Sequence, residues 1–400
     1  MNNYDFDQII ERRGTGCVKW DECPATITDT SAPGSAPDML PLWVADMDFA
    51  VAPAIQKAIR QRAQHPVFGY TYVQDDYYDA VISWYERRHH WKIEREWMLY
   101  TIGIVPAMSV AIKALTMPGE KVIILSPDYN CFFSSIKNNG CEVTECVLRF
   151  SHSDNRFEID WEDFEQQCRD EKSTVFLLCN PHNPTGRVWT REELEKMRDI
   201  CHRHHVRIVS DEIHCELIMP GHTFTTMGVI DEDAVVLTSP SKSFNIAGLM
   251  MGNIFCRDAV TRRRLDRAIN INEVCDVNPF APVAVKAAYN DSEDWLDALN
   301  HYLYDNYRAL CDFVAENIPF WRVMPLEGTY LVWVDVSAVP VVSSAGVATY
   351  TEEILAKTGV RLNPGTLYGP QSGEGYVRIN IACPRSRLME ALERIKNMKI

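Results

Sequence analysis

The chain has 400 residues, 46% of them hydrophobic and 24% charged, with a formal net charge of -15. That length exceeds one average domain and can bury a large core without disulfide or metal staples. The acidic balance argues against sequence-independent binding to nucleic acid or to an anionic membrane, both of which need basic patches, and no window approaches the roughly 18 consecutive apolar residues of a spanning helix.

The 13 cysteines are an odd number, and no two are spaced as C-x-x-C. Cys141 and Cys146 lie in a strand-like segment, and Cys179, Cys215 and Cys256 in or beside apolar runs. Buried reduced thiols in a cytoplasmic protein are therefore expected, not a disulfide framework. The start, Met1-Asn-Asn-Tyr-Asp-Phe-Asp7, has no basic region followed by an apolar run, so no signal peptide is expected.

Residues 1–40 read as an extended arm, with a turn at Arg12-Arg-Gly-Thr-Gly16 and a loop at Ala32-Pro-Gly-Ser-Ala-Pro37. Leu42-Trp-Val-Ala-Asp-Met-Asp-Phe49 is apolar with two embedded carboxylates, Asp46 and Asp48, which fit a solvated turn before a helix. Pro53 marks that helix start, and apolar spacing carries it over 54–62. Phe68-Gly-Tyr70-Thr-Tyr72 is an aromatic loop. An amphipathic helix over 75–90 places Tyr78, Val81, Ile82 and Tyr85 on one side.

Strands and helices then alternate. Strands are expected at 98–102, 121–125, 142–148, 173–179 and 206–210, and on either side of Lys242 at 233–239 and 248–255. Helices are expected at 103–116, 128–137 and 191–204. This alternation implies a largely parallel sheet covered on both faces, in which ligands bind beyond the carboxyl ends of strands. Gly103, Asn183, Asp211 and Ser239 all fall at such ends. From about residue 290 a long helical period (Trp295, Leu296, Leu299, Leu303, Leu310, Phe313, Val314) leads into a smaller α+β region, with strands at 330–336 and 376–381 and helices at 351–357 and 385–397.

The chemistry centres on Ser239-Pro-Ser-Lys-Ser-Phe-Asn-Ile-Ala-Gly248. A lysine between two buried strands loses solvation, which favours the neutral, nucleophilic amine that an aldehyde cofactor requires. The alternative is a turn lysine with a solvated tip. A pyridoxal phosphate site also needs an acid against the pyridine nitrogen, and Asp211 is placed for that or for capping a helix. Gly103-Ile104-Val105 opens a helix whose free amides and dipole suit a phosphate, or is an ordinary glycine turn. Ser239 and Ser241 could add hydroxyl donors. Asn183 lies in a turn built by Pro181, Pro184 and Gly186. Arg378, inside an apolar strand, suits a substrate carboxylate, or faces outward from an edge strand. His202, His204 and His205, like His89 and His90, end helices, where the dipole favours solvated cations. No His or Cys spacing matches a common zinc pattern, so no metal is expected. G-x-S-x-G and G-x-x-x-x-G-K-[ST] are absent, which excludes those hydrolase and P-loop readings.

Seven stretches, in order, carry a resemblance: Arg12-Arg-Gly-Thr-Gly-Cys-Val-Lys-Trp-Asp21, Leu42–Phe49, Phe68-Gly-Tyr70, Cys179-Asn-Pro-His-Asn-Pro-Thr-Gly-Arg-Val-Trp189, Ser210-Asp-Glu-Ile-His214, Ser239-Pro-Ser-Lys-Ser-Phe-Asn245 and Val377-Arg-Ile-Asn-Ile-Ala-Cys-Pro-Arg385. Together they resemble the fold-type I, class I/II aminotransferase superfamily, in its cystathionine β-lyase (C–S lyase, MalY/PatB-like) branch. The resemblance implies an α/β fold-type I architecture: a mostly parallel seven-stranded sheet in a large cofactor-binding domain (49–290), a smaller α+β domain (291–400), and an N-terminal arm (1–48) partly joined to the small domain.

It also implies roles. Lys242 would be the Schiff-base lysine and the proton shuttle at Cα, and Asp211 would face the pyridine nitrogen. His214 would stand where many relatives have a tyrosine that touches the cofactor O3′. Tyr129 would stack on the ring and Asn183 would bind O3′. Ile104 and Val105 would give amides to the phosphate, with Ser239 and Ser241 nearby. Arg378 would clamp the carboxylate of a small amino-acid substrate. Tyr70 would reach the phosphate of a neighbouring subunit, making a homodimer part of the site. Met250 stands where many aminotransferases have a phosphate-binding arginine. The implied activity is β-elimination from L-cystathionine or related L-cysteine S-conjugates. The alternatives are an aminotransferase using a 2-oxo acid and a pyridoxal-phosphate-binding regulatory protein.

Overall fold

The computed structural model describes residues 4–22 and 38–398; the loop expected at 32–37 lies outside the described residues. Seven strands form the central sheet: β1 (Met98–Thr101), β2 (Lys121–Ser126), β3 (Glu142–Val147), β4 (Ser173–Cys179), β5 (Arg207–Asp211), β6 (Val235–Thr238) and β7 (Gly252–Phe255). Their order is β1-β7-β6-β5-β4-β2-β3. Strands β3, β2, β4, β5 and β6 run parallel, and β7 runs antiparallel to both β6 and β1. The expected mostly parallel seven-stranded sheet is therefore present, with one antiparallel strand, β7, whose start lies at the carboxyl-terminal edge.

The apolar runs explain the two-sided cover. Along β2, Val122 and Ile124 pack with one core while Ile123 and Leu125 pack with the other. In β4, Val175 and Leu177 alternate with Phe176 and Leu178 in the same way. A strand buried on both faces needs this continuous hydrophobicity. The helix Ile104–Leu115 buries Ala107, Met108, Ala111 and Ile112 in one of these cores. That embedding fixes the position of its amino end at the sheet edge.

A second, antiparallel sheet is built from β8 (Arg322–Val323), β9 (Leu331–Asp335), β10 (Asn363–Pro364) and β11 (Tyr376–Asn380), in the order β8-β9-β11-β10. Leu40–Pro41 pairs in parallel with Val360–Arg361, so the segment before residue 42 is tied to this part of the chain. The long helix Glu293–Asn317 buries the residues its period marks: Trp295, Leu296, Leu299, Leu303, Leu310, Phe313 and Val314.

Three local readings change. The helix Asp75–His89 buries Tyr77, Ala80, Val81, Trp84 and Tyr85, rotated from the face expected through Tyr78 and Ile82. The cause is a second packing helix, Ala281–Asp291, whose Tyr289 stacks on Trp84 with ring centroids 4.8 Å apart. The strand expected from Gly248 starts only at Gly252. A single 3₁₀ turn, Ala247–Leu249, precedes it, and Met250 takes a left-handed φ of 51°. Helices Trp161–Cys168, Ala259–Ile271 and Ala281–Asp291 were not expected from the alternation.

Candidate active site

At the carboxyl-terminal edge of the sheet lies a cavity of about 270 Å³. Its walls come from six places in the chain: Ala45, the turn Ile102–Val105, Tyr129, Asn183, Asp211 with His214, and the loop holding Ser241, Lys242 and Met250. Eight of the residues expected at a cofactor site thus share one hollow: Lys242, Asp211, His214, Asn183, Tyr129, Ile104, Val105 and Ser241.

Lys242 sits in the turn after β6, and its amine donates to the Ala45 carbonyl at 2.7 Å. No carboxylate among the described residues is within ion-pair distance of it. Burial pulls its amine below the ordinary lysine range, opposed by Asp46 and Asp211 and reinforced by Arg378. The solvated-tip alternative therefore fails.

Asp211 ends β5 and is buried. One oxygen accepts from the Ile213 amide at 3.1 Å, but a turn and no helix follows Asp211, so the helix-capping alternative fails, and the carboxyl lines the cavity. Burial pushes its pKa up to about 7. A cation placed opposite, such as a protonated ring nitrogen, would reverse that shift. His214 is held neutral, its pKa pushed down to about 3 by burial and by Lys242 and Arg378.

Arg378 is neither outward-facing nor on an edge. It is buried on β11, between β9 and β10. Its guanidinium donates to Asn183 Oδ1 at 3.1 Å and to the Trp43 carbonyl at 2.8 Å, and lies over the Tyr368 ring at 4.6 Å. Arg378 does not itself line the cavity; the second sheet delivers a cation to Asn183 in the wall of a cavity built by the first.

Two expected residues lie elsewhere. Ser239 does not line the cavity: its hydroxyl donates to the Met251 carbonyl at 2.7 Å and accepts from the Ser241 amide at 3.1 Å, which shapes the lysine turn. Tyr70 is fully exposed and lines an adjoining hollow with Phe68, Thr71, Ile102 and Met250.

The cavity fits pyridoxal phosphate on several counts. Buried His214 Nδ1 and Arg378 Nε have no partner, and such groups are costly unless something pairs with them. The helix at 104 offers free amides from Ile104 and Val105, while Pro106 has none to offer. Gly103, in the cavity wall, has φ 146°, which favours glycine, and β7 packs against this turn so closely that a side-chain carbon on Gly252 would meet its backbone at 3.1 Å. That end has no arginine lining it.

Outside the cavity, Asp48 is not in a solvated turn. It is buried between Lys19 at 3.2 Å, Arg12 at 2.7 Å and the Trp20 indole at 2.9 Å. His89 is no solvated cap either. Its Nε2 lies 2.6 Å from buried Glu216, which the Trp84 indole also reaches at 2.6 Å. Sequence reasoning missed Ala45 and Tyr330, whose hydroxyl donates to the Ala45 carbonyl at 2.9 Å. An alanine whose backbone is the active group leaves no signal in side-chain chemistry.

A doubly covered α/β sheet with a half-buried, hydrogen-bonded lysine at its carboxyl-terminal edge defines a class. The chain belongs to the aminotransferase class I and II family, whose sequence model matches residues 37–395. It is 38% identical to the cystathionine beta-lyase PatB of Bacillus subtilis over 98% of this chain and 99% of that protein. Among solved structures it resembles cystalysin from Treponema denticola, which contains a pyridoxal 5′-phosphate cofactor (34% identity, 98% of both chains, TM-score 0.91). It also resembles the pyridoxal-phosphate-bound C–S lyase from Staphylococcus hominis (32% identity, 98% of both chains, TM-score 0.88).

Proposed function

We propose that the protein is a pyridoxal-phosphate-dependent carbon–sulfur β-lyase acting on L-cystathionine or related L-cysteine S-conjugates. The observation that carries this reading is the half-buried Lys242, its amine on the Ala45 carbonyl, sharing one cavity with Asp211, Asn183 and His214. When bound there, pyridoxal phosphate supplies the electron sink for the pair left at the substrate Cα.

The residues divide the remaining work. Lys242 would hold the cofactor's aldehyde end and, with its amine free, would take the Cα proton of the substrate. Asp211 holds a proton on the ring nitrogen. Tyr129 covers one ring face, and Asn183 and His214 bound the O3′ side. The Ile104 and Val105 amides with the Ser241 hydroxyl hold the phosphate. Arg378 clamps the substrate carboxylate and, through Asn183, links the substrate and cofactor subsites. With the carboxylate fixed there, Lys242 would be the base for the Cα proton, and the thiolate at Cβ would be the group that leaves. The products are the thiol, pyruvate and ammonia.

The same reading includes a homodimer in which Tyr70 of one copy reaches the phosphate of the other. Its support is the exposed group Val67, Phe68, Tyr70 and Tyr72 beside a hollow that shares Ile102 and Met250 with the cavity. It also includes division into the arm (1–48), a large domain (49–290) and a small domain (291–400), and a cytoplasmic location. The free cysteines among the described residues suit a reducing compartment.

The test is pyruvate release from L-cystathionine by the cofactor-loaded protein with no 2-oxo acid present. Many turnovers with equal thiol are expected. A single turnover that resumes only when a 2-oxo acid is added would replace this reading with an aminotransferase. No response to any amino acid would favour a regulatory protein.

A further inference from the structure

The segment between Trp43 and Phe49 is held by its carbonyls. Trp43 O accepts from Arg378 and Asn363, Val44 O from Asn380, Asp46 O from Asn380 and Lys19, and Met47 O from Arg12 and Asn245. Each of these donors is a side chain from a distant part of the chain. The Ala45 carbonyl differs from its neighbours because one of its two donors is the Lys242 amine, at 2.7 Å, and the other is the Tyr330 hydroxyl, at 2.9 Å.

We propose that the Ala45 carbonyl is the docking point of the Lys242 amine during proton transfer, and that Tyr330 is the positioning residue that sets its direction and acceptor strength. Tyr330 is fully buried just before β9, and its ring meets His214 edge-on with centroids 5.9 Å apart. Burial raises its phenol far above the ordinary range, so it remains a proton donor throughout the working pH. It neither gains nor loses a proton in the reaction. A carbonyl oxygen has two acceptor sites, and with Tyr330 on one, Lys242 occupies the other. An N–H held there leaves the nitrogen lone pair free for the cavity. When Lys242 takes the Cα proton, one C–H bond breaks and one N–H bond forms. The electron pair passes to the cofactor's sink, and the added N–H has the carbonyl available to it.

The direction of the effect follows. Two donors weaken each other's hold on a shared acceptor, so removing the Tyr330 hydroxyl makes Ala45 O a stronger partner for the ammonium form. The other charged or titratable groups facing Lys242 are Asp46, Arg378, Asp211, His214 and Cys131, and Tyr330→Phe leaves all of them in place.

This inference rests on Lys242 being the proton-carrying amine, and its test separates the two. In the cofactor-free protein, the pH dependence of Lys242 acylation by a small amine reagent, read by mass spectrometry, reports the amine directly and needs no turnover. Tyr330→Phe should move that dependence to higher pH. In the loaded enzyme it should move the acid limb of kcat the same way, lower kcat by about tenfold (about 1.4 kcal/mol of barrier) and enlarge the isotope effect of Cα-deuterated substrate, with KM nearly unchanged. If Tyr330→Phe does not fold, 3-fluorotyrosine at 330, a stronger donor of nearly the same shape, should move the acylation profile to lower pH. An unmoved acylation profile would overturn the proposal. A moved profile with no pyruvate release would keep it and overturn only the lyase reading.

Discussion

Two lysines, one fully buried and one half-buried, reach toward the same short segment and do different things. Lys19 comes from the N-terminal arm, fully buried, and meets Asp48 at 3.2 Å, Asp46 at 3.6 Å and the Asp46 carbonyl at 3.2 Å. Lys242 comes from the turn after β6, and among the described residues its amine hydrogen-bonds to the carbonyl of Ala45, one residue earlier, with no carboxylate at ion-pair distance. The first has carboxylates to neutralise it and is locked into the structure. The second has a neutral acceptor and a cavity beside it. A buried charge is tolerated when it is paired and hydrogen-bonded; a buried amine left with a neutral partner is available for chemistry. Lys19 and Arg12 also position Asp46 and Asp48, so the paired lysine holds the wall against which the unpaired one works.

The largest effect expected from breaking this contrast is on stability. Lys19→Met removes one partner of buried Asp48 and leaves Arg12 and Trp20 to hold it. A loss of about 3 kcal/mol, the low end for breaking a buried pair, is expected in urea unfolding. A loss below about 1 kcal/mol would mean that Arg12 and Trp20, with Arg387 at 3.9 Å, satisfy Asp48 without Lys19.

A smaller effect is expected at the acid facing Lys242. Burial raises the Asp211 pKa from the ordinary carboxylate value to about 7. Between about pH 4 and pH 7 the cofactor-free folded chain keeps a proton that the unfolded chain has released. The contribution of this carboxyl to stability is therefore full at low pH and lost as pH rises through about 7. Asp211→Asn should flatten the fall of Tm over that window in the cofactor-free protein, leaving the part due to Glu212, which burial also raises to about 7. An unchanged Tm profile would show that Asp211 is not the strained acid of the site.

Much of this was legible in the sequence, and the reasons differ by residue. The strand ends were readable because runs such as Val122–Leu125 and Val175–Cys179 stop at turn residues, and the Lys242 turn follows from Pro240 and its small neighbours. Arg378 stood out because an arginine in an apolar strand needs partners. Asp48 was misread because its partners, Arg12 and Lys19, lie about thirty residues away and no local pattern announces them. His89 was misread for the same reason: Glu216 reaches it from beyond β5. Tyr330 and Ala45 were missed because their bond joins a core tyrosine to a backbone carbonyl, and neither residue type marks such a contact. Local propensity locates the elements; it does not reveal which buried groups find one another.

The comparison of the two lysines is tested most directly by Lys242→Ala in the pyruvate assay, with stability measured on the same preparation. The account predicts a folded protein at least as stable as the wild type when both are cofactor-free, because no carboxylate loses its ion-pair partner. It also predicts pyruvate release reduced by at least about 10³-fold, within the range for removing a positioned proton-transfer group. Wild-type pyruvate release by Lys242→Ala would contradict the assignment of Lys242 as the working amine.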